Sequence, residues 1–168
     1  DEHDNVLGEA GKWHAHKANL LHRAFSILLL DQNNPTLCLL QQRQSKKYHC
    51  GDLWSNTCCS HPLPGESIEH AAGRRLREEL GIEASLEHLG HFIYQASFEN
   101  DQHEHELDHV FVGLIKQDDP MSMNVDEVKA VQWSSLDKAY AISKTNQATP
   151  WLQPVLDTVL ASSWIKRI

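Results

Sequence analysis

The stretch from residue 56 to residue 82 constrains the fold of this chain more than any other. It reads NTCCSHPLPGESIEHAAGRRLREELGI. Its second half has apolar residues at helical spacing, namely Ile68, Ala71, Ala72, Leu76 and Leu80. Ser67 is a typical N-cap, and Gly81 is a typical residue for ending a helix. The sequence therefore predicts a helix between Ser67 and Gly81, preceded by a loop that carries two cysteines and a histidine.

Apolar runs on both sides of this stretch predict strands. The runs Ala24–Leu30 and Leu37–Gln42 flank the turn cluster Asp31–Pro35, which is typical of a hairpin. The runs Leu89–Ala96 and His109–Ile115 also predict strands, with the acidic, histidine-rich residues 99–108 as their connection. Residues 1–10 are interpreted as a turn and the second arm of a hairpin whose first arm lies before Asp1.

The C-terminal part predicts a short strand over Val131–Trp133 and a short helix over Ser134–Ile142. A last helix is predicted to begin with Thr149 as its cap and Pro150 at its first position. Strands interleaved with helices predict a single α/β domain, or an α+β sandwich, over residues 1–168.

Composition narrows the class of function. The formal net charge of -8 argues against a general nucleic-acid or membrane-surface binder. No apolar run approaches the roughly 20 residues that a membrane-spanning helix needs. Two of the four cysteines, Cys58 and Cys59, are adjacent, and Cys38 lies in an apolar run. This pattern favours a reduced, cytoplasmic protein over one held together by disulfides.

The predicted helix resembles the Nudix box, whose pattern is G-x5-E-x7-R-E-U-x-E-E-x-G-U with U aliphatic. The matching residues are Glu66, Arg74, Leu76, Glu78, Glu79, Gly81 and Ile82. Ser60 stands at the position of the first Gly, and Arg75 stands at the position of the Glu in the R-E pair. The resemblance implies a Nudix-like fold, a mixed sheet with flanking helices, in which the hydrolase signature is altered.

The loop before the helix narrows the resemblance. The segment Asn56-Thr57-Cys58-Cys59-Ser60-His61-Pro62 lies between LLHRAFS upstream and Glu104-His105-Glu106 downstream. Together these motifs are similar to those of type I isopentenyl diphosphate isomerases, the non-hydrolytic branch of the Nudix fold, from about Lys12 to the helix after Trp151. The family implies isoprenoid biosynthesis and a small diphosphate substrate. The chain is expected to be a monomer or weak dimer, with its first strand before residue 1.

The resemblance implies two metal sites. One would hold Mn²⁺, Zn²⁺ or Mg²⁺, and its ligands by motif are His16, His22, His61, Glu104 and Glu106. His16 is chosen over His14 because the family's K-x3-H spacing starts at Lys12. A second Mg²⁺ would bind with the substrate diphosphate through Glu79 and the backbone carbonyl of Cys59. The remaining histidines of the acidic segment are predicted to be exposed bystanders, namely His103, His105 and His109.

The resemblance also implies the reacting groups. Cys59 and Glu106 would exchange protons with the substrate, and nearby metal and cationic groups would favour the Cys59 thiolate. Tyr94 would share a hydrogen bond with Glu106, and Trp151 would lie over a carbocation. The substrate-binding residues by motif are Lys12, Arg43, Lys47 and Ser60. Cys58 is interpreted as structural and Lys46 as a surface cation.

Two other functions compete with the isomerase. A Nudix hydrolase of a nucleoside diphosphate derivative is disfavoured by Arg75 and Ser60. A non-catalytic, zinc-stabilised binding module is disfavoured because the predicted ligands are scattered from His16 to Glu106 and do not form Cys-x2-Cys pairs. Loss of an N-terminal strand is expected to weaken closure of the metal site, since His16 lies in that region.

Overall fold

The fold is a mixed sheet with helices on both faces, described for residues 1–99 and 102–167 by a computed structural model. The helices are α1 (Lys12–Lys17), α2 (Ile68–Leu80), α3 (Leu136–Ser143) and α4 (Leu152–Ala161). The strands are β1 (His22–Asp31), β2 (Leu37–Arg43), β3 (Trp54–Ser55), β4 (Cys58–Ser60), β5 (Leu86–Phe98), β6 (Gln102–Ile115) and β7 (Val128–Ser135). The predicted architecture is confirmed.

Strand β1 organises the sheet. It pairs antiparallel with β2 and β4 and parallel with β6, so the order β3-β2-β1-β6-β5 contains one parallel pair. Strand β7 pairs with β2. The predicted hairpin of β1 and β2 is therefore confirmed. The parallel pair sets His22 opposite Glu106, which brings two distant parts of the chain to the same place.

The sheet has a hydrophobic core on each face because alternate residues of β1 point in opposite directions. Phe25, Ile27 and Leu29 pack with the apolar face of α2. Leu28 and Leu30 belong to the other core, with the apolar residues of α4. None of the helices in the described part of the chain has the length and apolar composition to cross a bilayer.

Helix α2 begins and ends as the sequence predicts. The Ser67 hydroxyl accepts a hydrogen bond from the His70 backbone N–H. Gly81 has a φ of 67°, and its N–H donates to the Arg77 carbonyl. An alanine there would place its Cβ 2.9 Å from the Cβ of Ser122, so both the conformation and the space favour glycine.

Two predictions at the ends of the chain are wrong. Residues 1–10 contain no strand, because the Asp1 carboxylate accepts hydrogen bonds from the backbone of His3 and Asn5 and closes a turn. The last helix begins at Leu152 with Trp151 as its cap, and Thr149 does not cap it. The Thr149 N–H donates to the Trp54 carbonyl, so the chain is still paired with β3 at this point. A first strand before residue 1 stays a prediction.

The predicted connection over residues 99–108 is also wrong. Strand β6 begins at Gln102, and residues 102–108 continue the ladder with β5. Residues 100 and 101 lie outside the described part. The polar composition hides the strand because Glu104, Glu106 and Asp108 are buried on one face of the sheet. Glu104 and Glu106 of this row line the candidate site.

Candidate active site

A cavity at one end of the β1–β6 pair collects most of the predicted site residues. Those that line it are Lys12, Arg43, Lys47, Cys59, Ser60, His61, Tyr94, Glu104, Glu106 and Trp151. They come from α1, β2, the loop after β2, β4, β5, β6 and the start of α4. The cavity therefore exists only when the whole sheet has formed.

Four of the predicted metal ligands converge beside this cavity. His16, His22, His61 and Glu104 each offer one atom, and these atoms all lie within 4.8 Å of one another. His16 Nδ1 lies 3.4 Å from Glu104 Oε1, and His22 Nε2 lies 3.8 Å from Glu104 Oε2. The structure brings His16 to this cluster, whereas His14 is exposed on the outer side of α1.

Glu106 connects this cluster to the cavity. Its Oε1 lies 2.7 Å from His61 Nε2 and 3.7 Å from His22 Nε2. Its Oε2 accepts a 2.6 Å hydrogen bond from the Tyr94 hydroxyl. Because Tyr94 and Glu106 are cross-strand partners, the register of β5 and β6 fixes this contact. Glu106 thus touches both the histidine cluster and a group that lines the cavity.

The protonation states of this cluster suit a cation. Burial lowers the pKa of His16 to about 3 and also lowers the pKa of His61, so both imidazoles are neutral and able to act as ligands. Burial opposes ionisation of Glu106, but the nearby His22 imidazole and the hydrogen bond with His61 outweigh it and hold its pKa well below the usual range. Burial and the charge of Glu106 raise the pKa of Glu104.

Unpartnered polar atoms show that the cluster fits a divalent cation. Among the described residues, His16 Nδ1 and Nε2, His22 Nε2 and Glu104 Oε2 are buried without a hydrogen-bond partner. Leaving such groups buried and unpaired costs about 1–3 kcal/mol each. Imidazole and carboxylate donors are the usual ligands of Zn²⁺ and Mn²⁺. The donor set therefore fits such an ion.

Four cationic side chains also line the cavity. Lys12, Arg43, Lys47 and Arg75 all contribute to the lining. Lys47 contacts Glu127, and Arg75 lies 3.2 Å from the same carboxylate. These cations give the cavity a positive wall suited to phosphate oxygens.

Cys59 lines the same cavity as these cations and Glu106. The Arg43 guanidinium donates to its Sγ at 3.7 Å. Burial raises the pKa of the Cys59 thiol to about 11, although Arg43 acts in the opposite direction. In the metal-free protein desolvation therefore outweighs the cation. The expectation that metal and cationic groups together favour the thiolate stays a prediction. Cys58 belongs to the core cluster packed against α2 and does not line the cavity.

Trp151 also lines the cavity. It is buried, and its Nε1–H donates to the Ser55 hydroxyl at 2.9 Å. The Arg43 guanidinium lies 5.2 Å from the centre of the indole ring, and the Tyr94 ring lies 6.1 Å away. The indole face therefore contacts a cation in this structure.

Glu79 is in a different environment from the histidine cluster. It is buried on α2, where Arg75 Nη2 donates to its Oε1 at 2.5 Å and Gln41 Nε2 donates to its Oε2 at 3.0 Å. Arg75 departs from the Nudix pattern, whereas Glu79 matches it. The Arg75 guanidinium thus neutralises the Glu79 carboxylate. The second Mg²⁺ at Glu79 and the Cys59 carbonyl stays a prediction.

Sequence reasoning missed three residues of the site. His49 contacts Glu104, Glu127 contacts Lys47 and Arg75, and Arg75 itself lines the cavity. Arg75 was visible as a departure from the Nudix pattern, but a lone histidine or glutamate in a loop carries no periodic or motif signal.

The exposure predicted for His109 is wrong. Its side chain is buried, with Nδ1 lying 3.1 Å from His88 Nε2 and Nε2 lying 3.4 Å from Asp4. This group lies on the other face of β6 from Glu106, since the two positions differ by an odd number of residues. His109 therefore belongs to a separate contact with the N-terminal residues.

The raised pKa of Cys59 makes its alkylation strongly pH-dependent. Iodoacetamide reacts with the thiolate, whose fraction grows with pH up to the pKa. We expect the rate at Cys59 in metal-free protein to rise about tenfold per pH unit from pH 7 and to level off near pH 11. Peptide mass spectrometry would follow the adduct, with Cys59→Ala separating it from any adduct on Cys58. A rate already constant at pH 8 would contradict the raised pKa.

The comparisons with known proteins agree with this fold and site. The NUDIX domain model matches residues 20–158, which is most of the chain. The crystal structure of DR0079 from Deinococcus radiodurans superposes with a TM-score of 0.73 at 18% identity, covering 94% of each chain. A MutT protein structure from Methanosarcina mazei gives a TM-score of 0.66 at 16% identity, covering 88% of this chain and 94% of the other. Fold and site thus define a protein of the NUDIX class.

Sequence relatives identify the branch of that class. The chain is 42% identical over 159 residues to isopentenyl-diphosphate Delta-isomerase 2 of Photorhabdus laumondii, covering 94% of this chain and 88% of the relative. It is 43% identical over 163 residues to the protein of the same name from Aromatoleum aromaticum, covering 96% and 84%. The chain belongs to the isopentenyl-diphosphate Delta-isomerase family.

Proposed function

We propose that this chain interconverts isopentenyl diphosphate and dimethylallyl diphosphate. The names of its relatives include isopentenyl diphosphate, the first of these two compounds. The observation that carries the proposal is the placement of two proton-exchanging groups, Cys59 and Glu106, on one cavity with a cationic wall. An isomerisation needs both groups, whereas hydrolysis of a diphosphate does not need the thiol.

The reaction requires balanced proton transfers. One proton is added to C4 of isopentenyl diphosphate, which leaves a tertiary carbocation at C3. One proton is then removed from C2, so the double bond moves from C3–C4 to C2–C3 and no atom is lost. In our proposal Cys59 and Glu106 each exchange one of these protons, and their roles swap with the direction of reaction. Tyr94 donates a hydrogen bond to Glu106 and thereby orients its carboxylate.

Stabilisation of the carbocation is assigned to Trp151. Its indole already contacts the Arg43 guanidinium, which supports its capacity to hold a positive charge. Such contacts contribute about 2 kcal/mol when desolvated. The burial of Trp151 and its hydrogen bond to Ser55 keep the ring in one orientation.

Binding of the diphosphate is assigned to the cationic wall. Lys12, Arg43, Lys47 and Ser60 line the cavity, and Arg75 adds a further guanidinium that sequence reasoning did not include. Arg43 is buried and remains charged, since an arginine does not deprotonate in a protein. The bidentate geometry of guanidinium suits phosphate oxygens.

Metal binding is assigned to His16, His22, His61, Glu104 and Glu106, with Mn²⁺, Zn²⁺ or Mg²⁺ as the ion. A bound divalent ion neutralises the carboxylates and lowers the pKa of the groups that it contacts. Mg²⁺ with the substrate diphosphate is assigned to Glu79 and the Cys59 carbonyl. We further propose a cytoplasmic monomer or weak dimer that acts in isoprenoid biosynthesis. The four free thiols support the cytoplasmic location.

The function is tested with isopentenyl diphosphate, Mg²⁺ and trace Mn²⁺ or Zn²⁺. We expect NMR to show dimethylallyl diphosphate at equilibrium with the substrate, and a colorimetric assay to show no released phosphate. A chelator should stop the reaction, and the added metal should restore it. Phosphate release from this substrate or from a nucleoside diphosphate derivative, without isomer, would favour the hydrolase and overturn the proposal.

A further inference from the structure

His49 lies against the candidate metal centre from outside the predicted ligand set. It belongs to the loop between β2 and β3, and its Nε2 contacts Glu104 Oε1. His16 Nδ1 approaches the same oxygen from 3.4 Å. Glu104 is thus flanked by a predicted ligand and by a histidine to which no role has been assigned.

The His49 ring is held rigidly. Its side chain is 3% exposed. The Phe98 ring stacks on it at 4.6 Å between centroids with an interplanar angle of 7°, and Tyr48 packs edge-on at 4.3 Å. The Arg43 guanidinium donates to the His49 backbone carbonyl at 3.4 Å. Because ring and backbone are both fixed, the contact with Glu104 is built into the fold.

The hydrogen-bonding capacity of the His49 ring nitrogens is not used elsewhere in the described residues. Within residues 1–99 and 102–167, neither Nδ1 nor Nε2 of His49 has an aligned hydrogen-bond partner, although both are buried. A buried imidazole kept for packing alone would be replaced at lower cost by an apolar ring. The position of Nε2 against a carboxylate oxygen supplies a reason for the histidine.

His49 lies outside the compact cluster of His16, His22, His61 and Glu104. The His16 ring centroid lies 4.9 Å from that of His22 and 5.3 Å from that of His61, but 6.1 Å from that of His49. The residues whose donor atoms all lie within 4.8 Å of one another are His16, His22, His61 and Glu104. His49 therefore contacts Glu104 from outside this cluster.

We propose that His49 is a positioning residue of the metal centre, which donates its Nε2–H to Glu104 and fixes the orientation of that carboxylate. The inference rests on the metal centre assigned above. Hydrogen bonds from outside the ligand shell orient the ligands of many metal sites, and their loss typically weakens metal binding by about 10–100-fold.

The test measures metal affinity directly. Metal-free protein is titrated with Zn²⁺ or Mn²⁺ against a chelator of known affinity. We expect His49→Phe, which keeps the stacked ring, to raise the Kd by about 10–100-fold. His49→Gln places an amide donor near Nε2 and is expected to recover most of the affinity. His14→Phe makes the same substitution at an exposed neighbour on α1 and is expected to leave the Kd unchanged.

Three results would overturn the inference. An unchanged Kd in His49→Phe would make His49 a packing residue, and isomerase activity of the wild type would still stand. A loss in His49→Gln equal to that in His49→Phe would exclude the donor role. Wild-type protein that binds neither ion would remove the metal centre itself. Thermal unfolding of each metal-free variant shows whether it is folded, and a folded His49→Gln keeps the test valid if His49→Phe is not.

Discussion

Replacing Cys59 with alanine is expected to reduce kcat for isomerisation by about 10²–10⁴-fold, the usual contribution of one acid–base group. The substitution removes the thiol that lines the cavity beside Arg43. It leaves the histidine–glutamate cluster intact, so the affinity for metal should stay within about twofold of the wild type. Conversion of isopentenyl diphosphate followed by NMR, and a chelator competition, would measure the two quantities.

Cys58→Ala is the matched control for this variant. Cys58 is fully buried among apolar residues against α2 and does not line the cavity. Its replacement is expected to lower the free energy of unfolding by about 1–2 kcal/mol and to preserve kcat. Equal losses of activity in both variants would show that the loop tolerates no change. Full activity of Cys59→Ala would remove Cys59 from the mechanism.

Glu106→Gln is expected to abolish isomerisation and to weaken metal binding as well. Glu106 is within 3.7 Å of two histidines of the cluster and also accepts the Tyr94 hydroxyl, so one substitution removes a charge that serves both purposes. We expect kcat to fall by at least about 10³-fold and the Kd for Zn²⁺ or Mn²⁺ to rise by at least about tenfold. This double effect would distinguish Glu106 from Cys59.

Two variants control for Glu106→Gln. Tyr94→Phe keeps the carboxylate and removes one hydrogen bond, so a smaller loss of kcat with little change in Kd is expected. Glu87→Gln removes a carboxylate whose ion pair with Arg167 lies at the surface of β5, and it should change neither quantity. If Glu106→Gln retained wild-type kcat with normal metal affinity, neither assigned role of Glu106 would survive.

The sequence predicts helix α2 and its surroundings well because local signals agree there. Ser67 caps the helix, Gly81 ends it, and the apolar residues between them pack on the sheet. The hairpin of β1 and β2 is equally visible, since its two apolar runs flank a turn cluster. In these segments propensity, periodicity and burial all favour the same structure.

Strand β6 could not be predicted to its full length because its site residues are acidic, whereas a buried strand is recognised in a sequence by its apolar residues. Glu104, Glu106 and Asp108 are buried in a strand, where apolar residues are the norm. Histidines from α1, β1 and the loop after β4 contact Glu104 and Glu106, and none of them is close in sequence. The Ser26 hydroxyl donates to Asp108. His49 was invisible for the same reason, because its importance depends entirely on tertiary contacts. The raised pKa of Cys59 likewise follows from burial that no local motif reveals.

Helix α1 has only six residues, yet it carries both Lys12 on the cationic wall and His16 in the cluster. A helix of this length is not stable by itself, and its order depends on the groups that it contacts. An ion bound at His16 would hold the helix in place. The protein would then lose less conformational entropy when Lys12 is ordered by a bound diphosphate. By thermodynamic reciprocity, a bound diphosphate would raise the affinity for the ion by the same factor. The metal ion and the diphosphate would then bind cooperatively, coupled through this short helix.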